Sequence, residues 1–258
     1  MLNYQLSPIK KLVMALALIT PTLALASGTP GESPAHWSYS GDSGPSHWGD
    51  LSEEYAACGI GKNQSPIDVE LKDIVNAGLA PIEIHYKGQI TSILNNGHTL
   101  QANVEKGSYM VAEEQEFKLL QFHMHSPSEH RVGGETFPLE IHFVHQNSRG
   151  EIAVVGALFR TGDSHENLRK IFSGAPLEGE TIPSTLALTE IIKLKSIPSY
   201  FRYNGSLTTP PCTEGLRWYI FPTVLTVSKE QIAQFISVIG YDARGTQPLN
   251  ARFILSAD

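Results

Sequence analysis

Cysteine is scarce in this sequence, and so is charge. Cys58 and Cys212 are the only two cysteines and stand far apart. They exclude a disulfide-dense scaffold, and they exclude zinc ribbons and CxxC redox motifs, which need closely spaced cysteines. Charged residues make up 17% of the 258, below the roughly 25% of an average soluble chain, so charge-driven disorder is excluded. A basic excess is missing too. The net charge is −7, the wrong sign for a nucleic-acid binder, whose surface must neutralise phosphates. Apolar runs of spanning length are also absent. A bilayer core needs about 20 apolar residues, and the one long run, Leu12 to Ala26, is shorter and contains Pro21. What the chain does have is turn chemistry, with 22 Gly and 16 Pro, and 41% hydrophobic residues. That is enough to bury one sizeable core.

Lys10 and Lys11 precede the apolar run, which ends in Ala24-Leu25-Ala26. A positive start, a short apolar stretch and a small-x-small end define a secretory signal peptide. The expected organisation is a cleaved leader over 1–26 and a single domain over 27–258, periplasmic or secreted, with no membrane attachment. In an oxidising compartment two cysteines read as one disulfide, with two separate buried thiols as the other reading.

Strands dominate the middle of the chain. Asn95-Asn96-Gly97-His98 is a turn signal between strands expected over Gln89–Leu94 and Thr99–Glu105. Glu116–His125 and Phe137–His145 read as two antiparallel arms, and Ile152–Phe159 as a strand buried on both faces. Helices are few. Ser164 is the expected cap of His165–Phe172, and Ser228 with Gln231 forms a capping-box pattern before a stretch that Gly240 stops. The fold class is therefore mainly β, in one domain.

The chemistry lies in Gln121-Phe122-His123-Met124-His125 and Glu140-Ile141-His142. Alternate side chains of a strand share a face. His123, His125 and Gln121 point the same way, and a facing antiparallel arm brings His142 and Glu140 to them. Three imidazoles with a fourth position open are the ligand set of a catalytic zinc site. Gln121 and Glu140 are placed to accept the other ring N–H of neighbouring histidines, which fixes tautomer and orientation. His145 has the opposite parity and should face away.

Other motifs carry less. Gly41-Asp42-Ser43-Gly44-Pro45 resembles a serine-protease nucleophile loop, but only His36 precedes it in the mature chain. His165-Glu166-Asn167-Leu168-Arg169 begins like a helical zinc-protease motif and lacks the second histidine. His123-x-His125-x-x-x-Glu129 has cupin ligand spacing, without the glycines of the cupin motifs.

The ordered segments together resemble the α-class carbonic anhydrases, most of all their exported bacterial members. The resemblance is carried by His36-Trp37-Ser38-Tyr39, Gly44-Pro45-Ser46-His47-Trp48, Asn63-Gln64-Ser65-Pro66-Ile67 and Asn95-Asn96-Gly97-His98. It continues through Gln121 to Arg131, Glu140 to His145, Gly205 to Pro211, Trp218, and Gln247-Pro248-Leu249-Asn250. It implies a large, twisted, mostly antiparallel central sheet with short peripheral helices, and reversible hydration of carbon dioxide to bicarbonate and a proton. His123, His125 and His142 would bind Zn²⁺, the last through Nδ1. Thr208 would accept a hydrogen bond from the attacking hydroxide and donate its own proton to Glu129. Val144, Val154, Leu207, Leu216 and Trp218 would form the apolar wall for CO₂, with Thr209 on the polar side. His98 would carry the proton out and Tyr39 would order water. Cys58 and Cys212 fall where exported members form their disulfide, and such relatives are often homodimers.

Asp242-Ala243-Arg244-Gly245-Thr246 departs from the Asn and Arg-Pro common in the family, in a segment that supplies a backbone acceptor to a ligand histidine. Two further classes fit the same scaffold: a binding module without catalysis, whose members typically lose a zinc histidine, and a zinc esterase side activity. All three ligand positions are histidine here.

Overall fold

The computed structural model describes residues 35–257, and within them the side chains of 222–224 are left aside. The expected leader over 1–26 lies outside the described residues. Seven strands carry the site: β1 (Ile90–Asn95), β2 (Leu100–Val104), β3 (Gln115–His125), β4 (Leu139–Gln146), β5 (Ile152–Thr161), β6 (Phe201–Ser206) and β7 (Glu214–Val227). Their order in the sheet is β1-β2-β3-β4-β5-β7-β6, and short segments at the edges extend it to 13 strands. Neighbours among the seven are antiparallel except β5 and β7, which run parallel. Among the described residues no helix is long and apolar enough to cross a membrane.

Side-chain alternation divides the sheet into two faces. Phe117, Phe122, Met124, Ile141, Phe143, Val155 and Phe159 pack on one face, together with Leu168, Phe172 and Phe235 from two helices. Val154, Leu158, Trp218 and Ile220 occupy a second cluster. Each large side chain fully buried this way contributes about 1.5–3 kcal/mol, so the parity of every strand is strongly held. The residues between Phe122, Met124, Ile141 and Phe143 must then face the other way. They are Gln121, His123, His125, Glu140, His142 and Val144.

The β1–β2 turn forms because Gly97 takes φ +81°, a conformation glycine reaches without strain. Asn95 Oδ1 accepts from Gly97 N–H, and Asn96 Oδ1 accepts from His98 and Thr99 N–H. Strand β4 starts at Leu139 rather than Phe137. Pro138 has no N–H for the ladder, and Phe137 N–H is taken by Ser128 Oγ at 2.8 Å.

The two longest helices among the described residues are α1 (Glu166–Ser173) and α2 (Lys229–Ile239). The cap of α1 is His165, not Ser164. Its Nε2 lies 3.1 Å from Ile191 O, which fixes the proton there and frees Nδ1 to accept from Leu168 N–H. Helix α2 has the expected Ser228–Gln231 capping box and ends at Gly240, φ +86°.

Candidate metal centre and the cleft above it

The β3–β4 register sets His142 directly opposite His123, Glu140 opposite His125 and Val144 opposite Gln121. The three imidazole centroids are 5.1, 5.2 and 4.7 Å apart. One nitrogen of each ring is already engaged. His123 Nδ1 donates to Gln121 Oε1 at 2.9 Å, His125 Nδ1 to the Asp242 carbonyl at 2.7 Å, and His142 Nε2 to Glu140 Oε1 at 2.9 Å. The nitrogens left over are Nε2, Nε2 and Nδ1. The three residues offer ligand atoms within 4.8 Å of one another, and His125 Nε2 is buried with no hydrogen-bond partner. Three converging imidazoles of fixed tautomer are a donor set that suits zinc. The Asp242 carbonyl holds His125 although the surrounding segment departs from the family pattern, and Asp242 Oδ1 accepts from Ser126 N–H at 2.7 Å.

His145 lies on the opposite face, past a bulge between Val144 and His145. It is buried with Nε2 2.7 Å from Tyr86 Oη, and burial lowers its pKa to about 3.

Burial, reinforced by His125 and His142, holds His123 well below the ordinary imidazole range. Burial also lowers His142, against the pull of Glu140. Burial works the same way on His125, but Glu129 and Asp242 outweigh it and raise the group. Glu129 Oε2 lies 3.7 Å from His125 Nε2 and 3.9 Å from His142 Nδ1.

Glu140 is the hub behind the ligands. Its Oε1 accepts from His142 and from His130 Nδ1, while Oε2 accepts from the N–H groups of Glu129 and His130. Tyr203 Oη donates to His130 Nε2 at 2.6 Å and is bonded to Ser65 Oγ at 2.8 Å. His130, Glu140 and His142 also stand close enough to suggest a ligand group, but their mutual hydrogen bonds already use the facing atoms. His130 and Tyr203 carry no periodic signal in the sequence and are recognised only from this network.

The cleft has a volume of about 190 Å³. Val144, Leu207, Thr209, His123, His125 and His98 all line it. Val154, Leu216 and Trp218 are buried beside Val144 and Leu207 in one apolar cluster. Thr208 is buried between two lining residues. The hydrogen bond expected from Thr208 to Glu129 is not formed. Glu129 Oε1 accepts from Arg244 N–H at 2.9 Å, and Oε2 faces the two histidines with no hydrogen-bond partner. His98 stacks on Trp37 at 3.6 Å, 9° from parallel. Tyr39 Oη is buried and unpartnered, and burial raises its pKa well above the ordinary value.

Cys58 and Cys212 form a disulfide, with Cα atoms 5.0 Å apart. It lies beside Trp48 and Tyr55 and anchors the loop carrying Thr208 and Thr209, since Cys212 N–H donates to Thr209 O at 2.9 Å. Arg244 binds the same region from inside. Its guanidinium donates to Gln64 Oε1, Ser65 O and Cys58 O, and Gln64 Nε2 donates to Cys212 O.

Residues 43–257 match the family described as eukaryotic-type carbonic anhydrase. A carbonic anhydrase of Pectobacterium carotovorum is 38% identical over 94% of this chain and 98% of its own length. The α-carbonic anhydrase of Thermovibrio ammonificans, solved with the inhibitor sulfanilamide, is 43% identical. It superposes with a TM-score of 0.82 over 86% of this chain and all of its own. Dioscorin complexed with ascorbate shares the fold at 30% identity and a TM-score of 0.78, over 86% of this chain and 97% of its own. A common fold does not by itself assign a reaction; the site geometry has to do that. With a family match over nearly all the described residues, and relatives of 38–43% identity along almost their full length, the chain belongs to the eukaryotic-type, or α-class, carbonic anhydrase family.

Proposed function

We propose that the protein is an exported zinc enzyme that interconverts carbon dioxide and bicarbonate, with His98 as its proton shuttle. The observation that carries this reading is the convergence of three unengaged imidazole nitrogens, from His142 and from the cleft-lining His123 and His125, beside a wall that includes Val144 and Leu207. His123 and His125 would hold zinc through Nε2 and His142 through Nδ1. Bound zinc supplies what the side chains cannot, hydroxide at neutral pH, by lowering the pKa of water to ~7.

The remaining work falls to this chain's own residues. Val144 and Leu207 offer CO₂ an apolar surface that binds no competing water tightly. Thr208 would orient the attacking oxygen by accepting its hydrogen bond. The unpartnered Glu129 Oε2 is the acceptor on offer to the Thr208 hydroxyl, which then admits only a protonated oxygen species as donor. Thr209 lines the polar side. His98 takes up the proton released when hydroxide is regenerated, at an imidazole whose ordinary pKa lies near neutrality. Export rests on the leader pattern of residues 1–26 and agrees with a disulfide linking the only two cysteines.

Stopped-flow CO₂ hydration on zinc-analysed protein tests the reading. Activity should disappear on prolonged chelation and return with Zn²⁺, and His142→Ala should lose both metal and activity. Zinc-loaded protein without hydration would leave a binding module. Full activity in His142→Ala would remove the proposed centre.

A further inference from the structure

A second polar groove of about 510 Å³ adjoins the cleft. Trp37, Tyr39, Asn96 and His98 line both spaces, whereas His36, Glu178 and Tyr241 line only the outer one. His98 is therefore the imidazole common to the two. His36 is exposed and immediately precedes Trp37, whose ring covers His98.

The loop carrying Glu178 is fastened to the turn that carries His98. Buried Asn95 donates its N–H to Glu180 O at 3.1 Å and its Nδ2 to Pro176 O at 3.1 Å, and its carbonyl accepts from Gly179 N–H at 2.8 Å. Glu178 Oε1 consequently sits 2.9 Å from the point where a Cβ on Gly97 would lie. The titratable groups on the groove are His36, His98, Glu178, Tyr39 and Tyr241. Burial lowers the pKa of His98, His36 lowers it further, and Glu178 opposes both. His98 thus senses the charges of both side chains across the groove.

We infer that His36 is a second proton-carrying imidazole, acting in series behind His98, and that Glu178 is the carboxylate that balances the charge on the pair. The inference rests on the proposed shuttle role of His98. The transfer balances simply. The His98 imidazolium gives up one N–H proton and returns to neutral. The lone pair of neutral His36 takes that proton, and His36 then delivers it to a buffer base in bulk solvent. A series arrangement follows from the lining, because His98 lines both spaces and His36 lines only the outer one.

The test is CO₂ hydration by the zinc-loaded full chain at limiting and at saturating buffer, combined with NMR titration of the imidazoles. His36→Ala should lower kcat about twofold to threefold at limiting buffer, leave it unchanged at saturating buffer, and leave kcat/KM unchanged. The double variant His36→Ala/His98→Ala should be no slower than His98→Ala alone. Glu178→Gln should move the His98 titration midpoint down, and His36→Ala should move it up. A wild-type kcat for His36→Ala at limiting buffer overturns the relay, and so does a double variant slower than His98→Ala. An equal fall in kcat and kcat/KM overturns it in favour of a structural role through Trp37. A wild-type kcat for His98→Ala is a separate result, and it removes the shuttle reading on which the inference stands.

Discussion

Replacing Glu140 by glutamine asks how much of the metal centre depends on one buried carboxylate. Glu140 is fully buried and accepts four hydrogen bonds, at 2.8 Å from His130 Nδ1 and 2.9 Å from His142 Nε2, Glu129 N and His130 N. Burial alone would raise its pKa; His130 and His142 outweigh burial and hold it well below the usual carboxylate range. Glutamine has the same shape but one acceptor oxygen. Whichever way its amide turns, an NH₂ group meets two N–H donors. If it faces the imidazoles, His142 regains a hydrogen bond only by moving its proton to Nδ1, the nitrogen that zinc requires. If it faces the backbone, two buried peptide N–H groups lose their acceptor. Two lost hydrogen bonds to a charged group, at the lower end of their range, cost about 3 kcal/mol. Loss of such a ligand-orienting partner typically costs about 10–100-fold in metal affinity. Chelator competition should thus give a zinc dissociation constant at least ~10-fold weaker, and urea unfolding of the metal-free protein should show the stability loss. Because the folded pKa is depressed, the stability from Glu140 is present above the ordinary carboxylate range and disappears as pH falls through the folded value. The gap between Glu140→Gln and the parent should close in strong acid. A folded variant that binds zinc as tightly as the parent would refute the tautomer argument.

Removing both half-cystines as Cys58→Ser/Cys212→Ser should lower the urea midpoint, because the pair closes a separation of 154 residues; the chain-entropy limit is about 5 kcal/mol, and an unchanged midpoint would contradict it. Thr208→Ala should lower kcat/KM for CO₂ by roughly 10²-fold with zinc still bound, the scale of one oriented hydrogen bond at a reacting oxygen; parent-like kinetics would reduce Thr208 to a turn residue. His145, with its pKa lowered to about 3 by burial, binds protons in the unfolded chain before it does so in the folded one. Its contribution to stability is therefore intact above the unfolded pKa and falls as pH drops from about 6.5 toward 3, by up to about 1.4 kcal/mol per unit. His145→Gln should flatten that part of the stability–pH curve, and an identical slope would refute the assignment.

The site was legible where chemistry follows a period of two. Gln121, His123 and His125 alternate with Phe122 and Met124, and Glu140, His142 and Val144 alternate with Ile141 and Phe143. The apolar partners declare the buried face and so declare the other one. The same rule does not reach β7, where Gly215 and Pro222 interrupt a segment apolar on successive residues, with Trp218 and Ile220 in one core cluster and Tyr219 and Phe221 in the other. The cap at His165 was hidden because an imidazole becomes an acceptor there only through its bond to Ile191. Partners that complete the centre come from far along the chain. Asp242 is 117 residues from His125 and Tyr203 is 73 from His130, distances at which local patterning carries no signal. Arg244 N–H likewise reaches Glu129 Oε1 from 115 residues away.

The Gln64–Arg244 pair has a consequence for how the disulfide can matter. Arg244 holds the carbonyl of Cys58 at 2.9 Å and Gln64 holds that of Cys212 at 3.0 Å, with Arg244 and Gln64 joined at 2.8 Å. A non-covalent tether therefore runs in parallel with the sulfur bridge and ends on the same two residues. In the folded protein the two are redundant: cutting the covalent one leaves the loop of Thr208 and Thr209 still fastened. In the unfolded chain only the covalent one survives, because hydrogen bonds between distant residues dissolve with the fold. Reduction should accordingly leave the resting enzyme's turnover intact and shorten its life under stress, so durability and catalysis can be changed independently at this point of the structure.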